Sequence, residues 1–199
     1  MRLVRTAAIV LAAGQATRFG AAKMLAPLAG RPLLQHILDA VAAAGLEEVV
    51  VVLGEAADEV ERAIAWRAER RVRNPTPELG LASSLRLGLQ ALGPEIGAAL
   101  VLLGDQPRVR PEVIARLLEV ARDVDRPIVV PRYEGGGGTN PALLRRPVWP
   151  VADALTGDRG MGPLMAAHPE LVREVPVVGD NPDVDTRADL DALASATGT

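Results

Sequence analysis

Two glycines and two cations lie close together in residues 11–23, directly after the first apolar segment of the chain. Gly14 and Gly20 can adopt backbone conformations that other residues avoid, so the chain can turn there with its N–H groups pointing inward. Arg18 and Lys23 add positive charge at the rim of that turn. Inward N–H groups and flanking cations suit a polyphosphate, so the segment predicts a phosphate-binding loop. A basic surface turn is the structural alternative.

The glycine spacing excludes two common phosphate-binding motifs. A P-loop that starts at Gly14 requires glycine at position 19 and lysine at position 20, where the chain has Phe19 and Gly20. A dinucleotide-binding fingerprint requires glycine at positions 16 and 19, and the chain has Ala16 and Phe19. The loop is therefore of another kind.

Two aspartates in other parts of the chain could complete a nucleotide site. Asp105 follows the apolar run 98–103, and Asp185 immediately precedes a predicted helix. If the strands are parallel, Asp105 lies at the same sheet edge as Gly14, the edge at which open α/β sheets bind ligands. Mg²⁺ typically takes one or two carboxylates with water and substrate phosphates, so we predict that Asp105 and Asp185 bind Mg²⁺. Either aspartate alone would be read as a turn or cap residue.

These residues suggest phosphoryl chemistry without a protein nucleophile. A triphosphate held by Arg18, Lys23 and Mg²⁺ can be attacked in line at its α-phosphorus by a substrate phosphate that is already anionic. Catalysis then consists of positioning and charge neutralisation, so the predicted catalytic residues are Arg18, Lys23 and Asp105. The chain has no cysteine, and we predict structural roles for His36 and His168, which have no second metal ligand at a suitable spacing.

The pattern of apolar segments predicts a βαβ organisation. Residues 7–12, 49–53 and 98–103 are continuously apolar, as in parallel strands covered on both faces. Shorter strands are predicted at 71–73, 128–131 and 171–178, and helices at 32–45, 56–67, 83–92, 111–121, 148–155 and after a capping box formed by Thr186 and Asp189. We therefore expect a single three-layer, Rossmann-like α/β domain over residues 1–199, with a mostly parallel mixed sheet. Glycines 135–138 predict a flexible tip.

Composition favours a globular domain that binds small molecules. The 199 residues are 49% hydrophobic and 24% charged, with a net charge of −3 and no basic face for nucleic acid. No segment has the roughly 18 apolar residues of a membrane helix, so we expect no membrane partner. Arg2 and Arg5 before the first apolar run imitate a signal peptide, but we interpret that run as a buried strand. The lack of cysteine is compatible with the cytoplasm, where we expect the protein to act.

Several motifs resemble those of a known group of enzymes. The pattern L-A-A-G-x-x-x-R-F-G-x-x-K from Leu11 to Lys23 resembles the signature of nucleotidyltransferases that activate sugars, isoprenoid precursors and the molybdenum cofactor. A second pattern, N…G…S-L-x-x-G-L, is similar at Asn74, Gly80 and Ser84, although the serines could instead cap a helix. Segments 104–107, 139–141, 155–160 and 183–186 resemble the successive motifs of the MobA/MocA-like molybdenum cofactor cytidylyltransferases.

The resemblance implies a nucleotidyltransferase fold and a specific reaction. CMP would pass from CTP to the terminal phosphate of the molybdopterin-bound cofactor, with Mg²⁺ and with release of pyrophosphate. Ala13 favours CTP, because the guanylyltransferases resemble L-A-G-G at this place. The implied nucleotide-binding residues are Leu11, Ala12, Ala13, Gly14, Arg18, Lys23, Asn74, Ser84 and Asp105, and the implied metal ligands are Asp105 and Asp185.

The acceptor half departs from the family pattern. Asn140, Asp158 and Arg159 are the implied acceptor-binding residues, but Thr139 separates the glycines from Asn140, and Met161 begins an unusual Met-Gly-Pro segment. Another phosphate acceptor therefore stays open, such as a sugar phosphate, an isoprenoid precursor or a phosphorylated alcohol, as does the use of GTP. A non-catalytic carrier that delivers the cofactor to a molybdoenzyme is the alternative of another class, although a carrier needs no pair of metal-binding carboxylates.

Overall fold

A seven-stranded sheet with helices on both faces organises the chain in the computed structural model, which describes residues 5–14, 19, 22–136 and 138–197. The strands are β1 (Arg5–Ala12), β2 (Pro27–Leu28), β3 (Arg31–Pro32), β4 (Val49–Leu53), β5 (Arg70–Arg73), β6 (Ile96–Leu103), β7 (Ile128–Tyr133), β8 (Ala142–Arg145) and β9 (Val172–Val177). The helices are α1 (Leu33–Ala43), α2 (Ala57–Ala63), α3 (Leu81–Gln90), α4 (Pro111–Asp123), α5 (Gly162–Ala167) and α6 (Arg187–Thr197). Strands β2 and β3 form a separate small hairpin.

The large sheet has the order β5-β4-β1-β6-β8-β7-β9. Only β8 among these described strands is antiparallel to its neighbours, which confirms the prediction of a mostly parallel mixed sheet. The chain moves outward from β1 to β4 and β5, then returns to place β6 on the other side of β1. The strand order therefore reverses between β1 and β6, and ligands of open α/β sheets bind at such a switch point.

The central strand is buried on both faces, and this explains its continuous apolar sequence. Ala8 and Val10 pack in the core layer that contains α1, α2 and α4, whereas Ile9 and Leu11 pack in the opposite layer with α3. Successive side chains of a strand point to opposite faces, so a strand between two helical layers needs apolar residues at every position. The three-layer prediction is confirmed.

The first four helices differ from their predicted bounds by up to four residues at an end, and the differences in α2 and α3 have local causes. Helix α2 ends at Ala63 rather than near residue 67, because Gln35 of α1 accepts a hydrogen bond from the Ala65 N–H at 2.9 Å and draws the chain away from the helix axis. Helix α3 begins at Leu81, immediately after Gly80 with φ of +82°. Ser83 and Ser84 are consequently buried inside the helix and do not cap it.

Three shorter elements also differ from the predictions. The predicted helix at 148–155 is a 3₁₀ helix, Arg146–Ala154, with Pro150 inside it. Strand β8 and the β2–β3 hairpin were not predicted, since four-residue and two-residue strands carry too little periodicity. Gly136 and Gly138 adopt positive φ, as expected of a glycine-rich turn, while Gly137 lies outside the described residues. No described helix is long and apolar enough to cross a membrane.

Candidate active site

Lys23 brings together two aspartates that are far apart in sequence. Its Nζ atom lies 2.7 Å from Oδ2 of Asp105 and 3.0 Å from Oδ1 of Asp185. Lys23 is only 8% exposed and sits in a short 3₁₀ helix, Lys23–Leu25, whereas Asp185 is largely open to solvent. We refer to these three side chains as the carboxylate corner. The structure thus joins three of the four charged residues that the sequence assigned to the nucleotide and the metal.

The charge state of Lys23 is set by its two partners. Burial alone lowers the pKa of Lys23, but the ion pairs and hydrogen bonds with Asp105 and Asp185 outweigh it and raise that pKa above its ordinary value. Lys23 is therefore a fixed positive charge at neutral pH. Two hydrogen bonds use two of its three ammonium donors, so among the described residues the third N–H has no acceptor and can donate to a ligand.

Backbone contacts position the carboxylate corner at the switch point of the sheet. The Gly104 N–H donates to the carbonyl of Leu11 at 2.9 Å, which joins the ends of β1 and β6. A Cβ atom at Gly104 would lie 2.8 Å from Sδ of Met24, so a larger residue there would require the flexible Met24 side chain of the 3₁₀ helix to move. The Val184 N–H donates to the carbonyl of Asp105 at 2.9 Å and fixes the second acidic segment beside the first.

The predicted capping box forms and orients Asp185. Oδ2 of Asp189 accepts hydrogen bonds from the N–H of Thr186 at 2.7 Å and from the N–H of Asp185 at 3.0 Å. The Asp189 N–H in turn donates to Oγ1 of Thr186 at 3.2 Å. The hydrogen bonds from Thr186 and from Asp185 hold the pKa of Asp189 below its usual value. The hydrogen bond from the Asp185 N–H to Asp189 therefore holds Asp185 at the start of α6.

A cleft of about 500 Å³ opens above the carboxylate corner. Predicted site residues that line it are Leu11, Ala13, Gly14, Lys23, Ser84, Asp105, Asp158 and Asp185. Ala12 packs instead in the core layer of α1. Gly14 does not adopt the left-handed conformation that glycine allows. A Cβ atom at this position would have no described atom within 4 Å, so it would point into open space. The absence of a side chain at Gly14 therefore keeps this part of the cleft open. Arg18 and Gly20 lie outside the described residues.

Asn74 is placed beside the cleft but not in its lining. Its Nδ2 atom donates to the hydroxyls of Ser83 at 2.8 Å and Ser84 at 3.0 Å, and its Oδ1 atom accepts from the Thr76 N–H at 2.9 Å. Asn74 is 4% exposed, and we call it and the two serines the amide–hydroxyl cluster. The geometry gives Asn74 the role of holding the loop before α3, while its predicted nucleotide contact stays a prediction.

The predicted acceptor residues separate into two groups. Asn140 and Arg159 line a second pocket of about 110 Å³, otherwise mostly apolar, which shares Leu11, Leu81 and Leu103 with the main cleft. Asp158 lines the main cleft, where its Oδ1 atom accepts a hydrogen bond from the Leu81 N–H at 3.1 Å. Asp158 thus connects the segment that contains Arg159 to the start of α3.

Asp183 lines the cleft but received no role from the sequence. Partial burial and the charge of Asp105 raise the pKa of Asp183, against a hydrogen bond from Nε2 of Gln106 at 2.9 Å. Val184 between the two aspartates is fully buried, so in this extended segment Asp183 and Asp185 both face away from the core. The Asp-Val-Asp alternation was a usable signal for a second acidic residue.

The residues present fit a magnesium ion that shares its shell with substrate. Oδ1 of Asp105 is a buried carboxylate oxygen with no hydrogen-bond partner among the described residues. Asp185 offers a second, accessible carboxylate. The described residues contain no group of three or more acidic, His or Cys side chains arranged to hold a metal. The protein would thus supply about two oxygen ligands, the number usual for Mg²⁺ bound together with phosphates.

Comparison with known proteins gives the geometry a family. The model of the MobA-like NTP transferase domain matches residues 8–173. The chain belongs to this family. Its fold is that of a nucleotidyltransferase domain, as the sequence resemblance implied.

Solved structures and curated relatives agree with this membership. The MobA-like chain is 34% identical to Rv0371c from Mycobacterium tuberculosis, with a TM-score of 0.88 over 98% of this chain and 100% of that one. A structure of Rv0371c in complex with manganese is 31% identical over 97% and 100% of the chains, with a TM-score of 0.85. The bifunctional protein GlmU of Rhodospirillum rubrum is 36% identical over 135 residues, which cover 64% of this chain and 28% of GlmU. The chain thus spans little more than a quarter of the curated relatives it matches.

Proposed function

We propose that this protein transfers CMP from CTP to the terminal phosphate of the molybdopterin-bound molybdenum cofactor and releases pyrophosphate. The observation that carries the proposal is the carboxylate corner, in which Lys23 joins Asp105 and Asp185 on the floor of a cleft at the sheet switch point. Membership of the MobA-like family supports nucleotidyl transfer. The motifs in the acceptor half and the L-A-A-G form of the first loop support the choice of cofactor and of CTP.

The protein's own groups position the substrates and contribute part of the charge neutralisation. Gly14 and Ala13 leave room for the triphosphate beside β1, and the third N–H of Lys23 can donate to a phosphate oxygen. An oxygen of the acceptor phosphate then forms a bond to the α-phosphorus. The bond from that phosphorus to the bridging oxygen breaks, and the electron pair leaves with pyrophosphate. No proton has to be removed from the attacking oxygen, so the site needs no general base.

Asp105 and Asp185 would hold Mg²⁺, which supplies charge neutralisation on the phosphates when bound. The manganese complex of Rv0371c supports the use of a divalent cation by this chain. Lys23 keeps the two carboxylates together in the absence of substrate, because without a cation between them they would repel each other.

The second pocket is the proposed site of the acceptor. Asn140 and Arg159 line it, and it adjoins the main cleft through shared apolar residues. Arg159 offers a planar cation suited to an anionic acceptor. Asp158 lines the adjoining main cleft and accepts a hydrogen bond from the start of α3. We propose that these three residues orient the acceptor phosphate toward the nucleotide.

The test is a pyrophosphate-release assay with purified protein and Mg²⁺. CTP or GTP is supplied with and without molybdenum cofactor, and an Asp105→Ala variant measures any contaminating activity. We expect release only when CTP and cofactor are both present. Release with GTP instead would overturn the nucleotide assignment.

The same assay separates the alternatives. Release with a sugar phosphate, an isoprenoid phosphate or another phosphorylated alcohol, but not with the cofactor, would identify a relative with a different acceptor. Tight binding of the cofactor without release of pyrophosphate under any condition would identify a carrier that delivers the cofactor to a molybdoenzyme.

A further inference from the structure

Two neutral amide side chains are buried between the carboxylate corner and the second pocket. Gln106 is 4% exposed and Asn181 is 1% exposed. Gln106 directly follows Asp105, and only Pro182 separates Asn181 from the Asp-Val-Asp segment. Neither residue lines the cleft or the second pocket, so neither has a place in the proposed chemistry.

The two amides form a continuous hydrogen-bonded connection. Nε2 of Gln106 donates to Oδ1 of Asp183 at 2.9 Å. Nδ2 of Asn181 donates both to Oε1 of Gln106 at 3.1 Å and to the carbonyl oxygen of Asn140 at 3.3 Å. The connection therefore runs from an acidic residue of the main cleft to the backbone of the turn that lines the second pocket. We call Gln106 and Asn181 the amide bridge.

Burial makes the hydrogen bonds of this connection costly to break. Both amides are buried, so loss of a bridging hydrogen bond would leave a polar atom unpaired away from water, and the bridging atoms therefore favour this arrangement. The turn at residues 138–140 follows a glycine run, and Gly138 and Thr139 are exposed to solvent. A turn with so little packing of its own depends on contacts from one side for its position, and the amide bridge supplies such a contact.

We propose that Gln106 and Asn181 are positioning residues that fix the acceptor turn relative to the carboxylate corner. This inference rests on the proposed function, because the distance being fixed is the one between the acceptor phosphate and the nucleotide. In-line transfer is sensitive to this distance, and a displacement of about 1 Å can cost about a hundredfold in rate. Gln106 thus helps to position the acceptor, whereas the neighbouring Asp105 acts on the metal and the nucleotide.

The experiment compares Gln106→Met with Gln35→Leu as a matched control. Gln35 is similarly buried at 5%, and its amide is hydrogen-bonded to Asp39 and to the backbone of Ala65, but it lines neither the cleft nor the second pocket. For Gln106→Met we expect kcat/KM for the acceptor to fall about 10–100-fold while the Kd for CTP changes less than about twofold. Gln35→Leu should change neither constant.

A second measurement keeps the inference separate from the choice of substrates. Hydrogen exchange of the intact protein should become faster in residues 138–145 for Gln106→Met and stay unchanged there for Gln35→Leu. Loss of CTP affinity in proportion to loss of transfer, or unchanged exchange in that segment, would overturn the bridge. If wild-type protein transfers no CMP to the cofactor, the proposed function fails while exchange still decides whether the bridge holds the turn. Asn181→Leu, which removes the other half of the bridge without adding a charge, replaces Gln106→Met should that variant not fold.

Discussion

Two polar clusters at the same edge of the sheet differ in charge, in exposure to the cleft and in how many of their polar atoms are hydrogen-bonded. The carboxylate corner is charged and opens into the cleft, and Asp105 retains a buried oxygen without a hydrogen-bond partner among the described residues. The amide–hydroxyl cluster of Asn74, Ser83 and Ser84 is neutral and buried, and its amide nitrogen and oxygen are both hydrogen-bonded within the protein. The first cluster has hydrogen-bonding capacity left for a ligand, whereas both polar atoms of the Asn74 side chain in the second are already paired within the fold.

This contrast separates residues that touch substrate from residues that shape the site. Both clusters follow a strand end and both resemble family motifs, so sequence position alone treats them alike. Unused hydrogen-bonding capacity distinguishes them, because a buried polar group that is already paired can bind a ligand only by giving up its present partner. The contrast predicts that substitution in the carboxylate corner impairs activity, whereas substitution in the neutral cluster impairs stability.

Asp105→Ala should have the largest effect on activity. We expect kcat to fall about a thousandfold, which effectively abolishes turnover, because the site loses a metal ligand and the partner of Lys23. The fold should stay intact, as judged by circular dichroism and by thermal unfolding. Asp58→Ala is the control, since Asp58 is an exposed aspartate that pairs with Arg73 outside the cleft. Near-normal rates in Asp105→Ala would show that Asp105 does not take part in catalysis and would contradict the proposed difference between the two clusters.

Asn74→Ala should show the opposite profile. It removes one partner each from Ser83, Ser84 and the Thr76 N–H, so we expect the free energy of unfolding to fall by about 2–3 kcal/mol in denaturant titrations. The fall in kcat/KM should be only about tenfold, through displacement of the loop before α3. A thousandfold loss of activity with unchanged stability would instead place Asn74 in contact with the nucleotide, as the sequence resemblance implied.

The sequence predicted the carboxylate corner well because each of its parts is local. Asp105 directly follows an apolar strand and Asp185 directly precedes a capped helix, and parallel strands bring such ends to one edge. The continuous apolar run of β1 likewise predicts a strand between two layers without any knowledge of those layers.

Long-range contacts explain what the sequence could not predict. The end of α2 is decided by Gln35, which is 30 residues from its partner Ala65. The role of Asn74 depends on serines that the sequence placed at a helix cap and that the structure buries one turn inside the helix. The amide bridge was also missed, because two neutral side chains 75 residues apart carry no local pattern.

Gly80→Ala tests how closely the neutral cluster's loop must approach Asp158. Gly80 has φ of +82°, and a Cβ atom there would lie 2.5 Å from Oδ1 of Asp158 and 2.6 Å from the carbonyl carbon of Gly157. Gly136→Ala is the matched control, with φ of +84° and no described atom within 4 Å of its Cβ position. The control should lose about 1–2 kcal/mol of stability from backbone strain alone. Gly80→Ala should lose about 1–3 kcal/mol more and several-fold in kcat/KM for the acceptor, and equal losses would show that the contact is relieved without effect.

Asp189→Ala should have the smallest effect and tests whether the capping box supports the carboxylate corner. The pKa of Asp189 is lowered in the folded protein, so its stabilising contribution is present above the unfolded value of 3.8 and is lost as the pH falls through the folded value. The melting temperature of Asp189→Ala should therefore lie below that of wild type at pH 7, and the gap should close in acid below pH 3.8. Activity at pH 7 should fall only slightly, because Val184 still holds the acidic segment to Asp105. A gap that persists unchanged in acid would mean that the loss comes from packing of α6 and not from the ionised carboxylate.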